Sequence, residues 1–170
     1  PDSIFNLGGA HFFAGRLDDA ETLFSQGIDT IRSRQLTKYI SYFYGLINRA
    51  QIVAAAGKKD RFVIMADSIL SEFDNVYPNH PRNRKYILKY ILDTAIGNNY
   101  VVISRRYYEQ VIGFLRDTNQ YEDQFTIDVI SSYVNFLLSH GEFLVVDELA
   151  DEALRMAEIL YGKASPKRIY

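Results

Sequence analysis

The chain predicts an all-α fold, an α-solenoid of about four helix-turn-helix repeats with eight helices. Three observations predict it. Apolar residues recur at helical spacing, as in Phe24, Ile28 and Ile31, and again in Ile130, Val134, Leu137 and Leu138. Strand signals are weak, with no Asn-Gly or Asp-Gly turn and no sustained period-two alternation. The breaks between helical segments keep one phase: Gly15, Gly57 and Gly141 stand on a 42-residue ruler, and Asn99 fills its vacant mark. Glycine and asparagine are the residues that best tolerate the left-handed backbone after a helix end.

Each element follows from that ruler. The first pair, near 3–14 and 18–34, turns at Gly15 and carries Ile4 and Ile28. The second, near 37–56 and 60–76, turns at Gly57 and carries Leu46 and Leu70; the loop Tyr77-Pro78-Asn79-His80-Pro81 closes it. The third, near 83–98 and 101–118, turns at Asn99 and carries Leu88 and Ile112. The fourth, near 122–140 and 143–161, turns at Gly141 and carries Ile130 and Leu154, and Tyr161 leads a second loop toward Pro166. These large aliphatics are 42 apart, as are the apolar positions Gly27, Ile69, Val111 and Ala153. Pro1, Pro78, Pro81 and Pro166 all fall outside the long apolar-periodic stretches, so nothing interrupts the helices. The repeat units run about 1–36, 37–78, 79–120 and 121–162, as a single array. No pair buries its apolar face alone; stacked pairs share a continuous core. The pattern is still running at the last residues, which suggests a segment of a longer protein.

Composition bounds the function. The 170 residues are 48% hydrophobic and 24% charged, values of a globular chain rather than a disordered one. The net charge of −2 argues against nucleic acid as a partner. No apolar run approaches membrane-spanning length, so no membrane insertion is expected and a cytoplasmic setting is favoured. With no cysteine, disulfides and thiolate metal sites are excluded. His11, His80 and His140 lie far apart and form no metal-ligand spacing, so no metal is expected. No nucleophile motif or phosphate loop is present; the reading is a non-enzyme without a cofactor. Charge is uneven: Arg82, Arg84, Lys85 and Lys89 fall in a stretch without acids, whereas Asp147, Glu148, Asp151 and Glu152 crowd the last helix. Either run serves as solvated surface or as a steering patch.

Asn6-Leu7-Gly8, Ala10, Gly15, Leu17, Asp18, Ala20 and Phe24 of the first unit resemble a tetratricopeptide repeat. Leu137, Gly141, Phe143, Ala150 and Ala153 repeat the match in the fourth. In physical terms, Gly8 and Ala20 let two helices approach closely, and Leu7 and Phe24 fill the space beside that contact. His11 takes a place usually held by an aromatic ring, as a core or groove residue. The second unit diverges, with Arg49 in place of Leu7 and Phe62 in place of Ala20. The 42-residue period is similar to the kinesin-light-chain-like variety. The resemblance implies a right-handed superhelix whose first helices line a concave groove for a protein or peptide partner.

On that phase the groove candidates are Phe5, Phe12, Tyr44, Asn48, Gln51, Tyr86, Lys89, Asp93 and Asn135, with Gly9, Phe13, Ile47, Tyr90, Asp128, Ser131 and Leu138 beside them. Aromatic rings give large contact area at small entropic cost, and carboxamides can hold a ligand's backbone amides. Chaperone-binding members clamp a terminal carboxylate with Lys, Asn and Arg. Here the matching places hold Phe5, Gly9, Asn48, Tyr86 and Tyr90, and only Asn48 agrees. The expected function is therefore a protein-interaction scaffold of another specificity. Two alternatives stay open: a sensor or regulatory part of a larger enzyme or transcription regulator, and a module that forms homo-oligomers through its solenoid ends.

Overall fold

In the computed structural model, which describes residues 2–78, 80–121 and 123–162, all regular structure is helical. Eight helices follow in order: α1 (Asp2–Phe13), α2 (Leu17–Ser33), α3 (Ile40–Ala55), α4 (Lys59–Val76), α5 (Pro81–Gly97), α6 (Val101–Asp117), α7 (Gln124–Ser139) and α8 (Phe143–Tyr161). The expected ends hold to within three residues. α3 starts later than expected because Tyr39 donates its backbone N–H to Leu36, closing a turn ahead of the helix. α5 starts earlier, since Pro81 sits in its first turn, where a missing N–H costs nothing. The expected loop residues beyond Gly162, Pro166 among them, lie outside the described residues.

The 42-residue ruler is built from one recurring cap. Gly15, Gly57 and Gly141 have φ of 74°, and Asn99 has 58°. At each, the residue after the turn donates back five positions: Arg16 to His11, Lys58 to Val53, Tyr100 to Ala95 and Glu142 to Leu137, at 2.9–3.1 Å. These are Schellman caps, which use carbonyls left over at a helix end. A second series is less visible in the sequence. Gln35 and Asn119, 84 apart, also adopt positive φ and close α2 and α6 in the same way. The place between them is Tyr77, which Pro78 keeps out of the helical region; its φ is −130°.

The helices group into two compact units, one carrying α1–α5 and ending at Tyr100, the other starting at Val101 and carrying α6–α8. In the first, α1 packs on α2, α2 on α3, α3 on α4, and α5 on both α3 and α4. Its core holds Ala20, Ile28, Tyr42, Phe43, Phe73 and Leu88, all without solvent exposure. Gly8 lets α1 close on α2: a Cβ there would stand 2.8 Å from the Phe24 ring. Leu7 corrects the expectation. It is 50% exposed and does not fill the space beside that contact, because one residue along a helix rotates a side chain by about 100°. The second unit diverges at both places. Arg49 replaces Leu7 at a half-buried position and reaches Glu21 at 3.4 Å. Phe62, in place of Ala20, is fully buried with its ring tilted against Tyr100.

In the second unit α7 packs on both α6 and α8. Tyr108 and Tyr133 stack at 4.1 Å across α6 and α7. Asp123 caps α7, its carboxylate accepting from the Thr126 N–H at 2.9 Å. Val146, Met156 and Ala157 turn inward from α8. Leu154 breaks the phase of its counterparts Ile28, Leu70 and Ile112: they are buried and it is 42% exposed. The architecture is an all-α helical repeat of helix-turn-helix pairs, as the tetratricopeptide resemblance implies.

Candidate functional site

The first helices carry the site because their outward faces remain uncovered. On α3, Phe43, Leu46, Ile47 and Ala50 are buried. Ile47, expected in the groove, is a core residue. Tyr44, Asn48 and Gln51 fall at i, i+4 and i+7 and therefore share the opposite face. On α1, Phe5, Phe12 and the 90%-exposed Phe13 turn toward the same side.

Between them lies a cleft of about 530 Å³, with Asn48, Gln51 and Ile52 of α3 on one wall and Asn6, Gly9 and Ala10 of α1 on the other. Phe24 of α2 and Phe5 form its aromatic floor. These two rings stack at 5.3 Å. Phe5 is wedged so tightly that a Cβ on Gly27 or Gly45 would stand 2.4 or 2.7 Å from its ring. It is thus a packing residue as well as a wall. Phe12 stands at the rim, its ring 5.8 Å from that of Phe13. Among the described residues no ionisable side chain lines the cleft. Nor do Asn6, Asn48 or Gln51 hydrogen-bond any described residue through their carboxamides.

The exposed face continues onto α5. Tyr44 meets Tyr90 edge-to-face at 6.1 Å. Tyr86 and Tyr90 are both partly exposed. Lys89 and Asp93, a turn apart, bond each other at 2.6 Å, so these two candidates neutralise one another. The structure thus assembles Phe5, Phe12, Tyr44, Asn48, Gln51, Tyr86, Lys89 and Asp93 within one unit. Asn135 is exposed on α7 of the other.

Two further expectations are corrected. His11 is neither core nor groove: its Nδ1 lies 3.2 Å from the Asp19 carboxylate and accepts from the Arg16 Nε, in a polar cluster at the α1–α2 turn. The basic stretch is only in part a free patch. Arg84 holds Asp74 through two hydrogen bonds of 2.6 and 3.0 Å, Lys85 is buried and Lys89 is taken by Asp93, whereas Arg82 is exposed. The Lys89–Asp93 pair stands at i, i+4 spacing and was readable along the chain, whereas the Asp74 partner of Arg84 lies across a loop.

Asn6 is the site residue that sequence reasoning missed. Its signal was available, since Asn6 and Asn48 are 42 apart and so are equivalent carboxamides on successive first helices, as Tyr44 and Tyr86 are equivalent rings. Away from the cleft, Arg49, Lys58 and Arg61 converge on Glu21. Burial pushes that carboxyl's pKa up, but the Arg61 hydrogen bond and the three positive charges outweigh burial and hold it below its ordinary value. Among the described residues no group of three His, Asp or Glu side chains is placed to hold a metal ion. No described helix is long and apolar enough to cross a membrane.

No protein-family model matches the chain. No curated protein matches it either. Among solved structures, it is similar to a crystal structure described as Podosopora anserina kinesin light chain nearly identical TPR-like repeats, at 11% identity and a TM-score of 0.40, covering 94% of this chain and 95% of that one.

Proposed function

We propose that the chain is a protein-interaction scaffold whose uncovered α1, α3 and α5 faces receive a peptide segment of a partner. The observation that carries this reading is the cleft of about 530 Å³, walled by aromatic rings and by carboxamides that bond no described residue, with no charged side chain among its described lining. A side chain entering it leaves water for ring faces, worth about 25 cal/mol per Å² of apolar surface. The carboxamides can exchange donor and acceptor bonds with the peptide backbone. The wall is held in shape by Phe5 between Gly27 and Gly45, so little order need be created on binding. Among the described residues the cleft has no general acid, general base or nucleophilic side chain, which also favours recognition over chemistry.

The test is capture of a partner from source lysate by the wild-type chain and by Asn48→Ala/Gln51→Ala, both checked for helical folding. The expected outcome is one partner held by the wild type and lost by the variant. Capture of the same proteins by both would remove the cleft from the function. A second reading has its own observation. α8 exposes Leu144 at 93% and Phe143 at 63%, apolar surface of the kind that copies of a chain cover in each other. Light scattering over a concentration series tests it.

A further inference from the structure

We infer that this surface takes an uncharged, proline-bearing segment in extended polyproline II conformation, crossing successive first helices. The inference rests on the peptide-binding reading above and names the class of peptide.

Charge comes first. Among the described residues no ionisable side chain lines the cleft. Beyond it, on the α5 face, Lys89 and Asp93 are bonded to each other and Arg82 is exposed. Inside the cleft a charged anchor would lose its water and find no counter-charge. The occupant is therefore neutral where it enters the cleft.

Hydrogen-bonding chemistry narrows it further. Asn6, Asn48 and Gln51 offer amide donors, and the hydroxyls of Tyr44 and Tyr90 bond no described residue. Around them stand the faces of Phe5, Phe12 and Phe24. A polyproline II segment is the complement: proline has no N–H, its carbonyls point outward unpaired, and its flat rings lie well on aromatic faces. Such a segment is already extended, so a preformed wall captures it with little further loss of entropy.

Spacing agrees. The surface is itself a repeat, with Asn6 and Asn48 equivalent, and Tyr44 and Tyr86 equivalent. α3 packs directly on α5, and Phe5 ties α1 to Gly45 of α3. Packed helices lie about 8–10 Å apart. Polyproline II rises about 3.1 Å per residue with three residues per turn, hence roughly 9 Å per turn. One turn of ligand thus matches the step from α3 to α5, where Tyr44 and Tyr86 are equivalent.

The test is amide-resolved NMR titration of the whole chain with acetylated, amidated decaproline. The companion probe is an equally long, neutral, proline-free peptide of alternating serine and leucine. The expected result is saturable shifts on α1, α3 and α5 with decaproline, unchanged between low and high salt, and absent or about tenfold weaker with the companion. Asn48→Ala and Tyr90→Ala should each weaken decaproline binding by about tenfold; both sites are exposed, and unchanged spectra elsewhere show that the variants fold. If the serine-leucine peptide shifts this face and decaproline does not, the inference is overturned while the peptide-binding reading stands. If neither peptide shifts it, both fall. Decaproline binding that ignores Asn48→Ala, Tyr90→Ala and a third variant, Asn6→Ala, places the ligand elsewhere and also overturns the inference.

Discussion

Phe5 occupies the space that two glycines leave open. Its ring lies where a Cβ on Gly27 or on Gly45 would stand, and it stacks on Phe24. One side chain of α1 thereby registers α2, α3 and the floor of the cleft. Gly27→Ala should cost about 1–3 kcal/mol, the usual range for overpacking. Phe5→Leu should relieve part of that cost, so the double mutant is expected to be more stable than the sum of the two single changes. Urea unfolding of all four proteins measures the coupling. Additive losses would mean that the ring swings aside freely and does not hold the helices in register. Asn99 gives a backbone counterpart. At φ 58° it sits where glycine is at ease and a β-branched residue is strained. Asn99→Gly should leave stability unchanged or raise it slightly, whereas Asn99→Val should lower it by about 1–2 kcal/mol in thermal or urea denaturation.

At the scale of the element, the packed helices of the first unit are also joined by charge. Arg49 of α3, Lys58 at the α3–α4 turn and Arg61 of α4 all reach Glu21 of α2. The Glu21 carboxyl titrates below its ordinary value of 4.5, the cations prevailing over burial. A folded-state pKa below the unfolded one stabilises the fold above the unfolded value and loses that stabilisation as pH falls through the folded value. Glu21→Gln should therefore cost about 1–2 kcal/mol near neutral pH, a modest figure because Lys58 and Arg61 remain screened by solvent. The gap between wild type and variant should close on acidification below the folded pKa. Unfolding free energies from pH 7 down to pH 3 provide the measurement, and a gap that persists into acid would deny the ion cluster its role. In the other unit, α7 depends on its cap. Asp123→Ala should cost about 1 kcal/mol, because the Thr126 N–H and hydroxyl lose the carboxylate acceptor.

At the scale of the whole molecule, each helix pair turns on the same cap and the first three bury the same aliphatic phase, so stability should be mostly local and nearest-neighbour. The cleft and the α3–α5 face lie entirely before Tyr100, where the first compact unit ends. Residues 1–100 expressed alone should fold as a helical unit and retain the peptide affinity of the full chain. Circular dichroism and the decaproline titration together check this, and a helical fragment without affinity would show that later residues complete the site. The exposed apolar residues of α8 belong to the same scale. If copies associate through them, Leu144→Lys should abolish any concentration-dependent rise in scattering mass without lowering stability, because Leu144 packs on almost nothing.

The all-α class, the eight helices and their turns were legible in the chain because they rest on local rules. A left-handed cap needs glycine or asparagine wherever it occurs, and Gly15, Gly57, Asn99 and Gly141 declare it at a fixed interval. Tyr44, Asn48 and Gln51 could be placed on one face because helical periodicity depends on three or four neighbouring residues. Tertiary structure decided what depends on residues far apart in sequence. It turned Leu7 outward and Ile47 inward, matched Arg84 to Asp74 across a loop, and set His11 beside Asp19. It also made Phe5 a wedge between two glycines and brought α1 and α3 together around a neutral cleft. Periodicity tells which residues share a face of a helix, whereas what that face meets is fixed only when the neighbouring helices have packed.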